Sequence, residues 1–188
     1  MIQSSLPKAL SYKAFEDLID RLLTEGKTTG EDQSEFMVSL TKLNRQRMKR
    51  IDNTLEFSPE QLAPFQQISK EQLWLVISGA QIVPVLAKIA QSNPLIDLKI
   101  VLRDENPALM DQYLTNGGKA IPILIIADAK SLEVLHVWGP RPKVATQMVE
   151  AYKKEHGKLT PEFKEELQKW YNQDKGQSIL GDLQAFFK

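Results

Sequence analysis

An α/β fold, in which a small mixed β-sheet is flanked by helices, is what this 188-residue sequence predicts. Three observations lead there. A short continuous apolar run at 73–78 has the length and composition of a buried strand, and the runs at 97–103 and 121–128 read as a second and a third strand. A helical repeat over 80–92 separates the first two runs, so they form a β-α-β unit whose strands run parallel with a right-handed crossover. A fourth run, 132–138, follows the third after the short Ala129-Lys130-Ser131 turn and reads as its antiparallel hairpin partner.

The elements follow in order. Phe15, Leu18, Ile19, Leu22 and Leu23 fall at helical spacing over 11–23, and Gly26 with the Thr28-Thr29-Gly30 cluster ends that helix. A second helix is expected over 34–51, with Met37, Leu40, Met48 and Ile51 as its apolar stripe. Ser58-Pro59-Glu60-Gln61 is a start signal for a third, with Ser as N-cap, Pro at the first helical position and Gln closing a capping box. The strand at 73–78 comes next, then the helix from Ala80 to Ser92 with Ile82, Val85, Leu86, Ile89 and Ala90 on one face; Pro84 inside it predicts a kink. Asn106-Pro107 opens a further helix through Tyr113, stopped by Asn116-Gly117-Gly118. Beyond the hairpin, Pro142 opens a helix to about Glu155, Thr160-Pro161-Glu162 starts another through Trp170, and Leu183, Phe186 and Phe187 predict a docked C-terminus. The expected organisation is one domain, 1–188, with a helical extension at 1–70, a core at 71–157 and a C-terminal helical extension at 158–188.

Composition narrows the chemistry. Hydrophobic residues are 42% and charged residues 26%, as in ordinary globular chains. The 24 basic and 24 acidic residues balance, which argues against nucleic acid or an anionic membrane as partner. The basic cluster Lys42, Arg45, Arg47, Lys49 and Arg50 is accordingly read as a solvated helix face. No run of about 20 apolar residues and no secretory leader is visible, so a cytoplasmic location is expected. There is no cysteine, hence no disulfide, thiolate nucleophile or thiolate-ligated metal, and the two histidines, His136 and His156, show no metal-ligand spacing. No cofactor is expected. His136 reads as a satisfied strand residue, and His156 as a charge near a helix C-terminus.

Ligands on such sheets meet the carboxyl ends of the parallel strands. Those ends are Ser78-Gly79 and Arg103-Asp104-Glu105-Asn106. The latter reads as an internal Arg–carboxylate pair followed by a helix N-cap. Gly139-Pro140-Arg141-Pro142 is either a rigid turn or a device that presents Arg141 beside a helix N-terminus. Ser78 has neither a nucleophile-elbow context nor an obvious base.

The order strand, proline-bearing helix, strand, Asp-x-Asn-Pro, helix, Gly-x-x-Ile-Pro and hairpin resembles a thioredoxin fold. With Leu43-Asn44-Arg45-Gln46-Arg47-Met48, Leu114-Thr115-Asn116-Gly117-Gly118 and Trp138-Gly139-Pro140-Arg141-Pro142, the chain is similar to a bacterial thioredoxin-like family with a helical N-terminal extension. The resemblance implies a cis bond before Pro122 and a substrate site at Ser78, Gly79, Ile121 and Pro122. Arg103, Asp104, Trp138 and Arg141 are candidate lining residues. It also implies thiol–disulfide chemistry on a protein or small-thiol substrate, through a Trp-Cys-x-x segment at the helix N-terminus. Here Ile77-Ser78 runs straight into Gly79-Ala80-Gln81-Ile82-Val83-Pro84, and that segment is missing. The chain as written is therefore expected to be redox-inactive. Two readings stay open: an oxidoreductase whose native chain carries a cysteine-bearing loop at or near the Ser78-Gly79 junction, or a non-catalytic protein- or peptide-binding module. A link of only one or two residues between strand and helix is the warrant for the first.

Overall fold

A computed structural model describes residues 1–79 and 81–187. They fall into two compact units, Met1–Pro140 and Arg141–Lys188.

The first unit begins with a short helix α1 (Ile2–Ser5) and a 3-10 turn (Leu6–Lys8), after which Leu10 pairs with Ile100 at the edge of the sheet. Helix α2 (Tyr12–Thr24) is capped by Ser11, whose hydroxyl accepts from the Ala14 amide. Helix α3 (Glu35–Thr54) is capped in the same way by Ser34. Helix α4 (Pro59–Gln66) starts on the reciprocal Ser58/Gln61 capping box that its sequence announces. Strand β1 (Gln72–Ile77), helix α5 (Val83–Ala90) and strand β2 (Ile96–Val101) form the β-α-β unit. Helix α6 (Pro107–Met110) leads to the hairpin of β3 (Ile123–Asp128) and β4 (Val134–Trp138).

The sheet order is β2-β1-β3-β4, with β1 parallel to β2 and antiparallel to β3, and β4 antiparallel to β3. Every residue of β1 is buried, as a strand covered on both faces requires. Leu73, Leu75 and Ile77 share one face with Val101, Ile123, Ile125, Leu109, Met110 and Ile2. Trp74 meets Phe65 of α4 edge-to-face, with ring centroids 6.0 Å apart. At the hairpin, Asp128 accepts from the Lys130 and Ser131 amides and the Ser131 hydroxyl, and the ladder shifts register between Ile126 and Ala127.

Several expectations are corrected. Pro84 produces no interior kink: α5 begins at Val83, so Pro84 lies in the first turn, where its missing N–H has no intrahelical partner to lose. The strand-to-helix link is therefore residues 78–82 and not one or two residues; Ala80, where the helix was expected to start, lies outside the described residues. Helix α6 stops at Met110 and a turn carries the chain to Tyr113. Asn106 occupies the N-cap position of α6 but makes no cap bond, donating instead to the Leu102 carbonyl at 2.9 Å. Arg45 belongs to no solvated face. It is 6% exposed, and its guanidinium clamps Asp20 (2.8 and 2.9 Å) and Glu16 (3.0 Å) of α2. Lys42, Lys49 and Arg50 are exposed, while Arg47 donates to Asn44.

In the second unit, α7 (Lys143–His156) ends at Gly157, whose φ of 75° continues the chain without a Cβ clash. Its first amide, Lys143, donates to Asp182 of α9 (Gln177–Gln184), which supplies the cap Pro142 lacks. Helix α8 (Pro161–Asp174) is capped by Thr160, and its Phe163 stacks on Tyr152, which also contacts His156. Among the described residues no helix is long and apolar enough to cross a membrane.

Candidate functional site

Pro122 organises the region where the parallel strands end. The Ile121–Pro122 peptide bond is cis, and so is Gly139–Pro140, within the turn singled out from sequence but with no cis bond expected there. Two glycines press on Pro122. A Cβ at position 79 would stand 2.6 Å from the Pro122 nitrogen and Cδ. At Gly139, whose φ is +123°, a Cβ would come closer still to the Pro122 carbonyl oxygen. Only backbone without a side chain fits these two approaches.

In front of Gly79 lies a cavity of about 190 Å³. Its floor is Ser78 and Gly79 after β1, Leu102, Arg103 and Asp104 after β2, and Ile121. The helical extension supplies the rest: Phe15 and Ile19 from α2, Thr28, Thr29 and Gly30 from the following loop, and Met37, Thr41, Asn44 and Arg45 from α3. That loop is stapled by the Gln33 carboxamide, which accepts from the Thr28 amide and donates to the Thr28 and Gly30 carbonyls. It is also tied to the floor, because the Glu31 amide donates to Asp104 Oδ2 at 3.3 Å.

The charges around the cavity are paired. Arg103 Nε meets Asp104 Oδ1 at 2.7 Å and Nη2 meets Oδ2 at 3.3 Å, and this guanidinium holds the Asp104 carboxyl below the usual carboxylate range. Arg45 does the same for Asp20, with Lys49 3.6 Å from that carboxylate. The Ser78 amide continues the β1–β2 ladder to the Val101 carbonyl. Its side chain differs: Ser78 is 8% exposed, lines the cavity, and its hydroxyl has no hydrogen-bond partner among the described residues. Among those residues no group of His, Asp or Glu is arranged to hold a metal ion.

Of the residues singled out from sequence, Ser78, Gly79, Ile121, Arg103 and Asp104 converge on this cavity, with Pro122 buried directly behind Gly79. Trp138 is buried on β4 opposite Leu124 and is not among the lining residues. Arg141 opens the second unit. Sequence reading missed the whole roof. Its only local hint was the Thr28-Thr29-Gly30 cluster, read as a helix stop.

A sequence model of the family described as Thioredoxin matches residues 30–153. A crystal structure of a protein of unknown function from Pseudomonas aeruginosa is similar over 94% of this chain and 96% of its own, with 17% identity and a TM-score of 0.55. A crystal structure of an HIV epitope-scaffold is similar over 94% of this chain and 97% of its own, with 17% identity and a TM-score of 0.58. At that identity both speak to the fold alone. A search among curated proteins found no match. The four-stranded mixed sheet and the family match over more than half the chain agree, and this chain belongs to the thioredoxin family, as a member without a cysteine.

Proposed function

We propose that this chain is a non-catalytic binding module on a thioredoxin fold, taking its ligand where Ser78-Gly79, Arg103-Asp104 and Ile121-Pro122 meet. Disulfide exchange needs a thiolate to attack one sulfur and expel the other, and the chain has no thiol to form one. The observation that carries the binding reading is the cavity itself: it lies at the carboxyl ends of the parallel strands, where such sheets hold ligands, and is lined by a hydroxyl that bonds no other described residue. The test is to titrate the full chain with free amino acids and with a pool of short peptides while following backbone amide shifts. Shifts clustered at Ser78, Gly79, Leu102 and Ile121 support the module. No shifts with either set, or reduction of insulin disulfides above the buffer rate, overturn it.

The second reading is thiol–disulfide exchange by a polypeptide with a cysteine-bearing loop at the Ser78-Gly79 junction. It is favoured by the contact of Gly79 with Pro122, which leaves the junction against the proline where a family cysteine would stand. Intact mass before and after alkylation separates the two. A mass of 21.4 kDa without alkylation is the binding module; a heavier, alkylated species is the oxidoreductase.

A further inference from the structure

We propose that the cavity roofed by α2, α3 and the 28–30 loop is a site for a small zwitterion of free amino-acid size; this rests on the binding-module reading and names its ligand. Size comes first. About 190 Å³ falls below the roughly 300–1,000 Å³ of pockets that hold drug-sized ligands, which favours a ligand smaller than a nucleotide.

Charge comes second. The charged lining residues are Arg45, Arg103 and Asp104. Arg45 is spent on Asp20 and Glu16. The remaining pair presents adjacent positive and negative groups with bonding capacity to spare. Arg103 uses its Nε and one Nη on Asp104, leaving further guanidinium N–H donors, and Asp104 Oδ1 accepts one bond where two lone pairs exist. An anion would meet Arg103 but be repelled by Asp104, and a cation the reverse. A ligand with neighbouring carboxylate and ammonium groups satisfies both, its carboxylate on Arg103 and its ammonium on Asp104.

Polar and apolar lining complete the match. The Ser78 hydroxyl, which lines the cavity and bonds no other described residue, is placed to bond the ligand's polar end. Phe15, Ile19, Met37 and Ile121 offer apolar surface to a side chain.

The test measures thermal shift and amide shifts of the full chain with each of the twenty standard free L-amino acids, their N-acetyl amides and the short-peptide pool. At least one free amino acid is expected to stabilise the chain in a concentration-dependent way, and its uncharged N-acetyl amide is not. Ser78→Ala removes a hydroxyl that bonds no other described residue, so it should fold normally and bind about tenfold more weakly. Asp104→Asn, checked for folding by circular dichroism, should lose the preference for the free form over the N-acetyl amide. Binding of peptides, with or without the N-acetyl amides but without any free amino acid, overturns the zwitterion site and leaves the binding module standing, and binding of N-acetyl amides alone overturns both. Absence of binding by all three sets overturns both.

Discussion

Arg45 shows how one side chain can join two helices. Its guanidinium, buried against α2, bonds Asp20 in a fork and reaches Glu16 as well. Both carboxylates keep some exposure, which moderates the loss when the arginine goes. Arg45→Met is expected to cost about 1–3 kcal/mol in urea unfolding at neutral pH. The pH dependence has a definite sign. Asp20 has its carboxyl lowered by Arg45, so the pair's contribution is fully present above the unfolded value of about 3.9 and is lost as pH falls through the lower folded value. Unfolding curves across that acidic window should show a shallower decline for Arg45→Met than for the parent chain. Asn93 is a second such residue. It is 5% exposed, donates to the Phe65 and Ile68 carbonyls at 2.8 and 2.9 Å, and accepts from the Leu95 amide. Asn93→Ala removes the partner of the Ile68 carbonyl and the Leu95 amide and one of two partners of the Phe65 carbonyl, which still accepts from the Ile68 amide, and a loss of about 1–3 kcal/mol by chemical denaturation is expected.

The link from β1 to α5 shows how an element gives way to its neighbours. Periodicity continues the helix back to Ala80, but the chain must turn from Ile77, pass Gly79 against Pro122 and then start helix. The helix begins three residues late as a result, and Pro84 moves into its first turn. The two glycines around Pro122 give a graded test. Gly79→Ala places a Cβ 2.6 Å from a ring carbon and a backbone nitrogen, neither of which is a flexible chain end. Overpacking of this kind costs about 1–3 kcal/mol. Gly139→Ala adds a backbone conformation of φ +123° to a tighter approach, so it should destabilise more than Gly79→Ala when their denaturation midpoints are compared. Equal midpoints would contradict the sandwich.

At the scale of the whole molecule, a thioredoxin-family chain without cysteine has stability independent of redox poise. Thermal unfolding in the presence and absence of dithiothreitol should coincide, because no disulfide exists to be reduced. A melting temperature that moves with reductant would show a thiol or disulfide in the polypeptide. The helical extension also has a role beyond covering the sheet. Leu10 pairs with the outer edge of β2, which hides backbone groups that would otherwise template aggregation, and α2, α3 and the loop between them provide the roof of the cavity. Without residues 11–45 the carboxyl ends of β1 and β2 would form an open groove.

Local chemistry made much of this architecture legible. The Ser58 capping box, the helix after Ser34, the parallel pair around α5 and the hairpin after Pro122 are all written in short stretches of chain, since caps, periods of 3.6 or 2 and turn residues act within a few positions. The family was readable for the same reason, through an ordered series of local signals, and so were the floor residues Ser78, Gly79, Arg103, Asp104 and Ile121. Other features depended on partners distant in sequence. Arg45 looked like one cation in a solvated row because Asp20, 25 residues earlier, leaves no mark on its helix. The tie between Glu31 and Asp104 spans 73 residues, and with it goes the roof of the cavity. The start of α5 depended on Pro122, which no pattern within 78–92 contains. Periodicity states which face of an element is apolar. Which charged group is neutralised, where a helix must yield and where space is left unfilled are set by packing, and those were decided only when the chain had closed on itself.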